Sequence, residues 1–329
     1  MRLRPLLSMT AALSAFAADA ATAPGNTGPI TGAPASSWAM SHPSEPRAKA
    51  QVTFLTRDGA RRYMIELVNR DRASVGVAPV QLDEGAASRA GQGHAEDMAA
   101  HGFLGHWGTD GSVPEQRLTD AGGADMVLEN ASCFTDERTR ALDPQPRIDP
   151  RNVERAEAMF FHEQPPNDGH RRNILNPIHN KLGIGVAQPL ATATEIPAPC
   201  FAQEFVDAYG TYAPIPHTLR RGGVVRVRGT TAAPATPAGV GIAHGGPSAA
   251  IPVAELNERR SYSVPAPYRT YWPAGYSTPA PVHVSGRDFS IDASLGPDAE
   301  PGLYEVSVWA VFPGSSQLVM VSLRTIRVE

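Results

Sequence analysis

Near Pro214 the repeat pattern of the chain changes, and that change limits the possible folds more than any other feature. From Phe54 onward, apolar residues recur at helical spacing. Ala60, Met64, Leu67 and Val68 come first, then Ala87, Ala90, His94 and Met98, then Val153, Ala156 and Phe160. Between these helices, Met126 to Cys133, Leu182 to Val186 and Phe201 to Val206 read as strands. Beyond Pro214 the helical spacing stops. Val224–Val227, Val282–Val284, Phe289–Ile291, Tyr304–Val311 and Leu318–Val328 are short β-branched or aromatic runs between Gly and Pro turns, the pattern of an antiparallel sandwich. Tyr304 to Trp309 alternates with period two, so a strand buried on one face is expected. The chain therefore reads as α+β, with a layered domain over residues 53–214 and a smaller all-β, immunoglobulin-like sandwich over 215–329. A length of 329 residues lets each bury a core.

The N-terminus reads as an export signal over residues 1–20. Arg2 and Arg4 precede a mostly apolar stretch, and Ala18-Asp19-Ala20 offers a small-x-small cleavage pattern. Residues 21–52 are rich in Ala, Pro, Gly, Ser and Thr and read as a flexible linker. Secretion, to the periplasm or the exterior, is the expectation. No other run is long and apolar enough to span a bilayer. A net charge of −4 leaves no electrostatic footprint for nucleic acid. Cys133 and Cys200 are the two cysteines, and export invites a disulfide between them. A free buried pair is the alternative.

Local punctuation sharpens the first domain. Gly76 stops the first helix, Asp83 is expected to cap the second, and Asp149-Pro150 opens a later one. Pro114 and Gly122-Gly123 bracket a short helix. Gly183 and Gly185 in a strand imply close approach of another backbone. His94 lies on a buried helical stripe and reads as a core histidine bonded to backbone, while His101 reads as a cap of last-turn carbonyls. His106 is different, because it lies in a loop between Gly105 and Gly108, where a scaffold can present a functional side chain. Glu163 extends the apolar face of Val153, Ala156 and Phe160, where a carboxylate is costly without a partner. The alternative is a last-turn glutamate pointing to water.

Taken in order, these pieces form a set. Asn69-Arg70-Asp71-Arg72 leads to His94-Ala-Glu-Asp-Met98, then His106 before Asp110-Gly111, then Glu129-Asn130 and Glu163. Gly169-His170-Arg171-Arg172-Asn173-Ile174-Leu175, Gly183-Ile184-Gly185-Val186 and Gln203-Glu204-Phe205 follow. From Phe54 to Asp207 the chain resembles the CAP superfamily of cysteine-rich secretory proteins, antigen 5 and pathogenesis-related proteins, in its bacterial form. The resemblance implies an α-β-α sandwich with a cleft holding His106, Glu129, Glu163 and His170, with Glu157 as the substitute for Glu163. The cysteine-rich tail of the animal proteins is missing, so ion-channel regulation does not carry over.

Two neutral imidazoles can bind a divalent ion such as Zn²⁺, with His106 and His170 as ligands and the glutamates orienting them or holding a bound water. Alternatively, the four groups only satisfy one another. No G-x-S-x-G element is present and both cysteines read as structural, so binding without turnover is expected, of a metal and of a lipid, sterol or extracellular protein. A metal-dependent hydrolase with Glu129 or Glu163 as general base is the second expectation. Adhesion through the β-sandwich is the third.

Overall fold

The computed structural model describes residues 18–19, 53–246, 249–259, 261–296 and 298–329. The expected signal and linker lie outside the described residues, apart from Ala18–Asp19 (β1), which pairs antiparallel with Ser261–Tyr262.

In the first module β2 (Gln81–Leu82), β3 (Met126–Ser132), β4 (Lys181–Ala187) and β5 (Cys200–Asp207) form one sheet in the order β2-β4-β5-β3. β2 lies parallel to β4, and the other neighbours are antiparallel. Helices α1 (Arg57–Ser74), α4 (Pro150–Phe161) and α5 (Gly169–Leu175) cover one face, where Leu182, Ile184, Val186, Phe201 and Phe205 meet Met64, Leu67, Val153 and Phe160. Helix α2 (Ala86–His101) covers the other, with Ala95, Met98 and Ala99 against Ala187, Cys200 and Ala202; α3 (Pro114–Asp120) lies beside it. Covered on both sides, β5 is buried along its whole length. This is an α-β-α sandwich.

The contact between α2 and β4 is backbone on backbone, as the two strand glycines imply. A methyl group on Gly185 would stand 2.0 Å from the carbonyl oxygen of Gly91, and one on Gly183 would stand 2.3 Å from the carbonyl carbon of Ala87. Asp149 caps α4 by accepting from the Arg151 amide, with Pro150 as the first helical residue. Asp83 does not cap α2. The N-cap is Gly85, and Asp83 instead accepts from the Gly85 amide in a turn outside the helix. Cys133 and Cys200 are joined by a disulfide, with Cα atoms 4.5 Å apart, which ties the end of β3 to the start of β5.

The strands of the second module are β6 (Gly210–Tyr212), β7 (Thr218–Leu219), β8 (Val224–Thr231), β9 (Thr236–Gly246), β10 (Ser261–Tyr262), β11 (Arg269–Tyr271), β12 (His283–Ser285), β13 (Asp288–Ser294), β14 (Gly302–Val311) and β15 (Val319–Val328). Nine of them make a five-stranded sheet, β11-β9-β14-β15-β7, and a four-stranded sheet, β12-β13-β8-β6, while β10 pairs with β1. Val225, Val227, Phe289 and Ile291 of one sheet pack against Val240, Ile242, Val306 and Ile326 of the other. Strand β6 joins this module ahead of residue 215.

Strand β14 departs from the expected one-sided burial. Its polar positions Glu305 and Ser307 are also buried, as is Thr325, the partner of Glu305 on β15. The reason is that this outer face is covered by the first module. The Thr325 amide donates to Thr119 Oγ1 of α3 at 3.1 Å, and the Ser322 hydroxyl donates to the Ala124 carbonyl. A short helix, α6 (Val253–Glu258), lies in the connection between β9 and β11.

Candidate functional site

His106 lies in the loop that follows α2. Gly102 ends that helix in the left-handed region (φ 69°), which frees the chain to turn. Asp97 then accepts from both the Thr109 amide and the Thr109 hydroxyl, and the Gly108 amide donates to the Ser112 carbonyl. The loop so fixed turns His106 inward, 3% exposed, where its Nδ1–H donates to Glu129 Oε1 at 2.9 Å. Glu129 comes from the middle of β3.

His170 is the second residue of α5. Its Nδ1–H donates to Glu163 Oε1 at 2.5 Å. Glu163 Oε2 accepts from the backbone amides of His170 and Arg171, at 2.9 and 3.4 Å. Helix α4 has already ended at Phe161, with His162 as its C-cap, so Glu163 is not in its last turn and does not point to water. Instead it folds back to cap the next helix, where a carboxylate is favoured by both the free amides and the helix dipole.

The rings of His106 and His170 lie with centroids 6.4 Å apart, tilted by 49°. Each carboxylate fixes its histidine as the Nδ1–H tautomer, which leaves the Nε2 lone pair available. Both Nε2 atoms are buried, and neither has a hydrogen-bond partner. Two His–Glu pairs with their free nitrogens turned out of the pairs make up the site.

Residues 65–189, which hold all four of these side chains, match the model of the cysteine-rich secretory protein family, CAP. This part of the chain is a CAP domain. Among solved structures, the chain is similar to an extracellular protein containing a SCP domain from Bacillus anthracis str. Ames, at 17% identity and a TM-score of 0.34. The match covers 50% of this chain and 45% of that one, so the two share less than half of the other protein's length. No curated protein matches the sequence.

Three further residues surround Glu129: Arg117, which the sequence reading passed over, His94, which is the core histidine bonded to backbone that its place on the helical stripe implied, and Glu204. Arg117 of α3 donates to Glu129 Oε2 at 2.7 Å, and to the carbonyls of His106 and Ser112. It thus ties the His106 loop to the glutamate. His94 Nε2–H donates to the Gly105 carbonyl at 2.7 Å and lies 3.5 Å from Glu129 Oε1. Burial and the nearby Arg117 guanidinium push His94 down to about 4, so it is neutral near pH 7. Glu204 is the cross-strand partner of Glu129. Burial and the Glu129 charge push Glu204 well above the ordinary carboxyl range. Glu129 behaves in the opposite way. Burial opposes its ionisation, but His94, Arg117 and His106 outweigh burial and hold it well below that range. One strand-paired couple therefore contains two carboxyls shifted in opposite directions.

Behind the histidines a hydrogen-bonded chain runs into the core. Asn130 donates to the His170 carbonyl and to Gln203 Oε1, while Asn173 donates to Asn130 Oδ1 at 2.9 Å. Gln203 in turn donates to Glu157 Oε2 at 2.6 Å. Glu157 lies on α4 inside the core and makes no bond to either histidine; Glu163 is the residue that meets His170.

The donor chemistry fits a divalent ion with two protein nitrogens. Neutral imidazoles carrying a carboxylate on the other ring nitrogen suit zinc, at a Zn–N distance of about 2.0–2.1 Å. Among the described residues no cluster of three or more His, Cys, Asp or Glu has the arrangement of a metal site, so an ion here would keep its remaining positions for water or a ligand.

Proposed function

We propose that this is an exported CAP-domain protein whose cleft holds a divalent ion between His106 Nε2 and His170 Nε2 and binds a ligand without turnover. The observation that carries this reading is the pair of buried, unpartnered Nε2 atoms on rings whose centroids lie 6.4 Å apart, each with its tautomer set by a glutamate. A buried nitrogen lone pair left unmatched is costly, and an ion satisfies both at once. The disulfide supports an oxidising compartment outside the cytoplasm.

The glutamates support holding over hydrolysis. Glu129 is committed to His106 and Arg117, and Glu163 to His170 and two backbone amides. Neither has a carboxylate oxygen left unpartnered to take a proton from a bound water. The pocket beside His106 also has an apolar wall of Pro114, Val127, Tyr262 and Val264, which supports a ligand with an apolar part.

Calorimetry with zinc tests the proposal. The full chain binds one ion, and the His106→Ala/His170→Ala variant loses that binding. Affinity falls as the pH is lowered, because an imidazolium has no lone pair to give. Zinc binding that survives in the double variant, or none in the unaltered protein, would overturn it.

A further inference from the structure

Strands β9 and β11 are antiparallel neighbours, which two to five residues could join. The chain instead takes residues 247–268 between them, a connection long enough to hold α6 and β10. The described part of this connection does not stay with the β-sandwich. Leu256 of α6, 1% exposed, is buried in the CAP core with Met98, Ala99 and Phe103. The Ile251 amide donates to the Thr109 carbonyl at 2.9 Å, and Asn257 Oδ1 accepts from the Leu104 amide at 3.1 Å. A methyl group on Gly111 would strike the Ala249 carbonyl oxygen at 2.2 Å. Each of these contacts falls on the loop that carries His106 or on the helix end that launches it.

The connection then reaches the cleft. Arg259 lies over the Trp107 ring at 4.8 Å, and Tyr262 meets the same ring edge-on at 5.1 Å. The Tyr262 hydroxyl donates to Glu115 of α3. Tyr262 and Val264 thereby share the pocket with His106 and Glu129. We infer that residues 249–259 and 261–264 form a strap by which the second module closes the CAP cleft, with Tyr262 as the gate beside His106. The inference rests on that cleft being the ligand site. It assigns a role to the β-sandwich, which anchors the strap at both ends while the strap clamps the His106 loop. Tyr262 is a positioning and gating residue, not one that reacts.

Histidine modification by diethyl pyrocarbonate, read residue by residue in the mass spectrum of the full chain, tests the strap without any ligand. His106 has a free Nε2 and reacts when the gate opens. Tyr262→Ala and Arg259→Ala should each raise the His106 rate by about tenfold through easier local opening, with buried His179 unchanged. Unchanged His106 rates in both variants would overturn the strap. If Tyr262→Ala also exposes His179, its fold has loosened, and Arg259→Ala, whose side chain is 34% exposed, decides by the same comparison. A second arm follows zinc uptake by competition with a coloured chelator. Faster uptake in the variants supports the gate. Zinc binding at unaltered rates, with unaltered His106 reactivity, sinks the strap and leaves the metal site standing. Raised His106 reactivity in a protein that takes up no zinc does the reverse.

Discussion

Glu129 and Glu157 are both buried acids, yet their surroundings hold them in opposite states. Arg117 supplies Glu129 with a full charge and two N–H groups face its oxygens, so ionisation survives burial. Glu157 has one amide donor, from Gln203, and its Oε1 has no partner, so burial pushes its carboxyl up to about 8. Stability must depend on pH as a result. The unfolded carboxyl titrates near 4.5 and the folded one near 8. Below the lower value both states hold the proton. As pH rises toward the higher value the unfolded chain releases it first, so this contribution to stability is lost on the way to pH 8. Glu157→Gln keeps the shape and removes the titration. Urea unfolding across that window should show the variant gaining on the unaltered protein by roughly 1.4 kcal/mol at most for each pH unit. A difference that does not change with pH would mean that Glu157 is already ionised in the fold.

At the scale of elements, the seam between α2 and β4 decides how close the sheet and helix come. Gly185→Ala forces a methyl group to within 2.0 Å of the Gly91 carbonyl, and only a shift of the whole helix relieves that contact. Overpacking of this kind costs about 1–3 kcal/mol or more, read as a lower urea midpoint. Gly93→Ala, on the same helix with open space around it, should instead stabilise by about 0.8–1.0 kcal/mol. The two outcomes together separate packing from helix propensity; a stable Gly185→Ala protein would refute the backbone seam. This seam was legible in the sequence, because glycine has little other reason to stand twice in a buried strand. Helices α1, α2 and α4 were legible from their periodicity, α3 from its proline and glycines, and β3 to β5 as short apolar runs; α5 and α6 were not read. Strand β9 was not. Its TPAGVGIAHGG run is poor in β-formers, because Gly239 and Gly241 leave room for Trp272 and Pro267 to lie against the strand. Asp83 looked like a cap because capping and turn-forming use the same side-chain chemistry. Within the site, His106, Glu129, Glu163 and His170 could be found from distinctive local settings. Arg117 could not, since an arginine in a short polar helix carries no mark of burial. Glu204 did carry a signal: an acid inside the apolar run of β5.

The whole molecule is joined through a buried polar face that sequence alternation assigned to solvent. Period two tells which side chains share a face, but not what covers the second face. Here Glu305 of β14 meets Glu115 of α3, with Tyr262 of the strap donating to Glu115 and Arg117 nearby. Burial first, and then the neighbouring Glu115, push the Glu305 carboxyl up to about 10, and burial raises Glu115 as well. Glu305 is therefore neutral near pH 7, and the junction between the modules depends on its proton. The unfolded carboxyl titrates near 4.5, so stability from Glu305 is complete below that value and is lost as pH rises through about 10. Glu305→Gln removes this dependence while keeping a side chain of the same shape at the seam. Its thermal midpoint relative to the unaltered protein should rise steadily as pH increases through the window. Exchange of the Thr325 amide, which donates to Thr119 across the junction, should be slower in the variant than in the unaltered protein on the alkaline side and alike on the acid side. A constant offset between the two proteins, or Thr325 exchange that never differs, would show that Glu305 titrates elsewhere and that the modules are held by their backbone contacts alone.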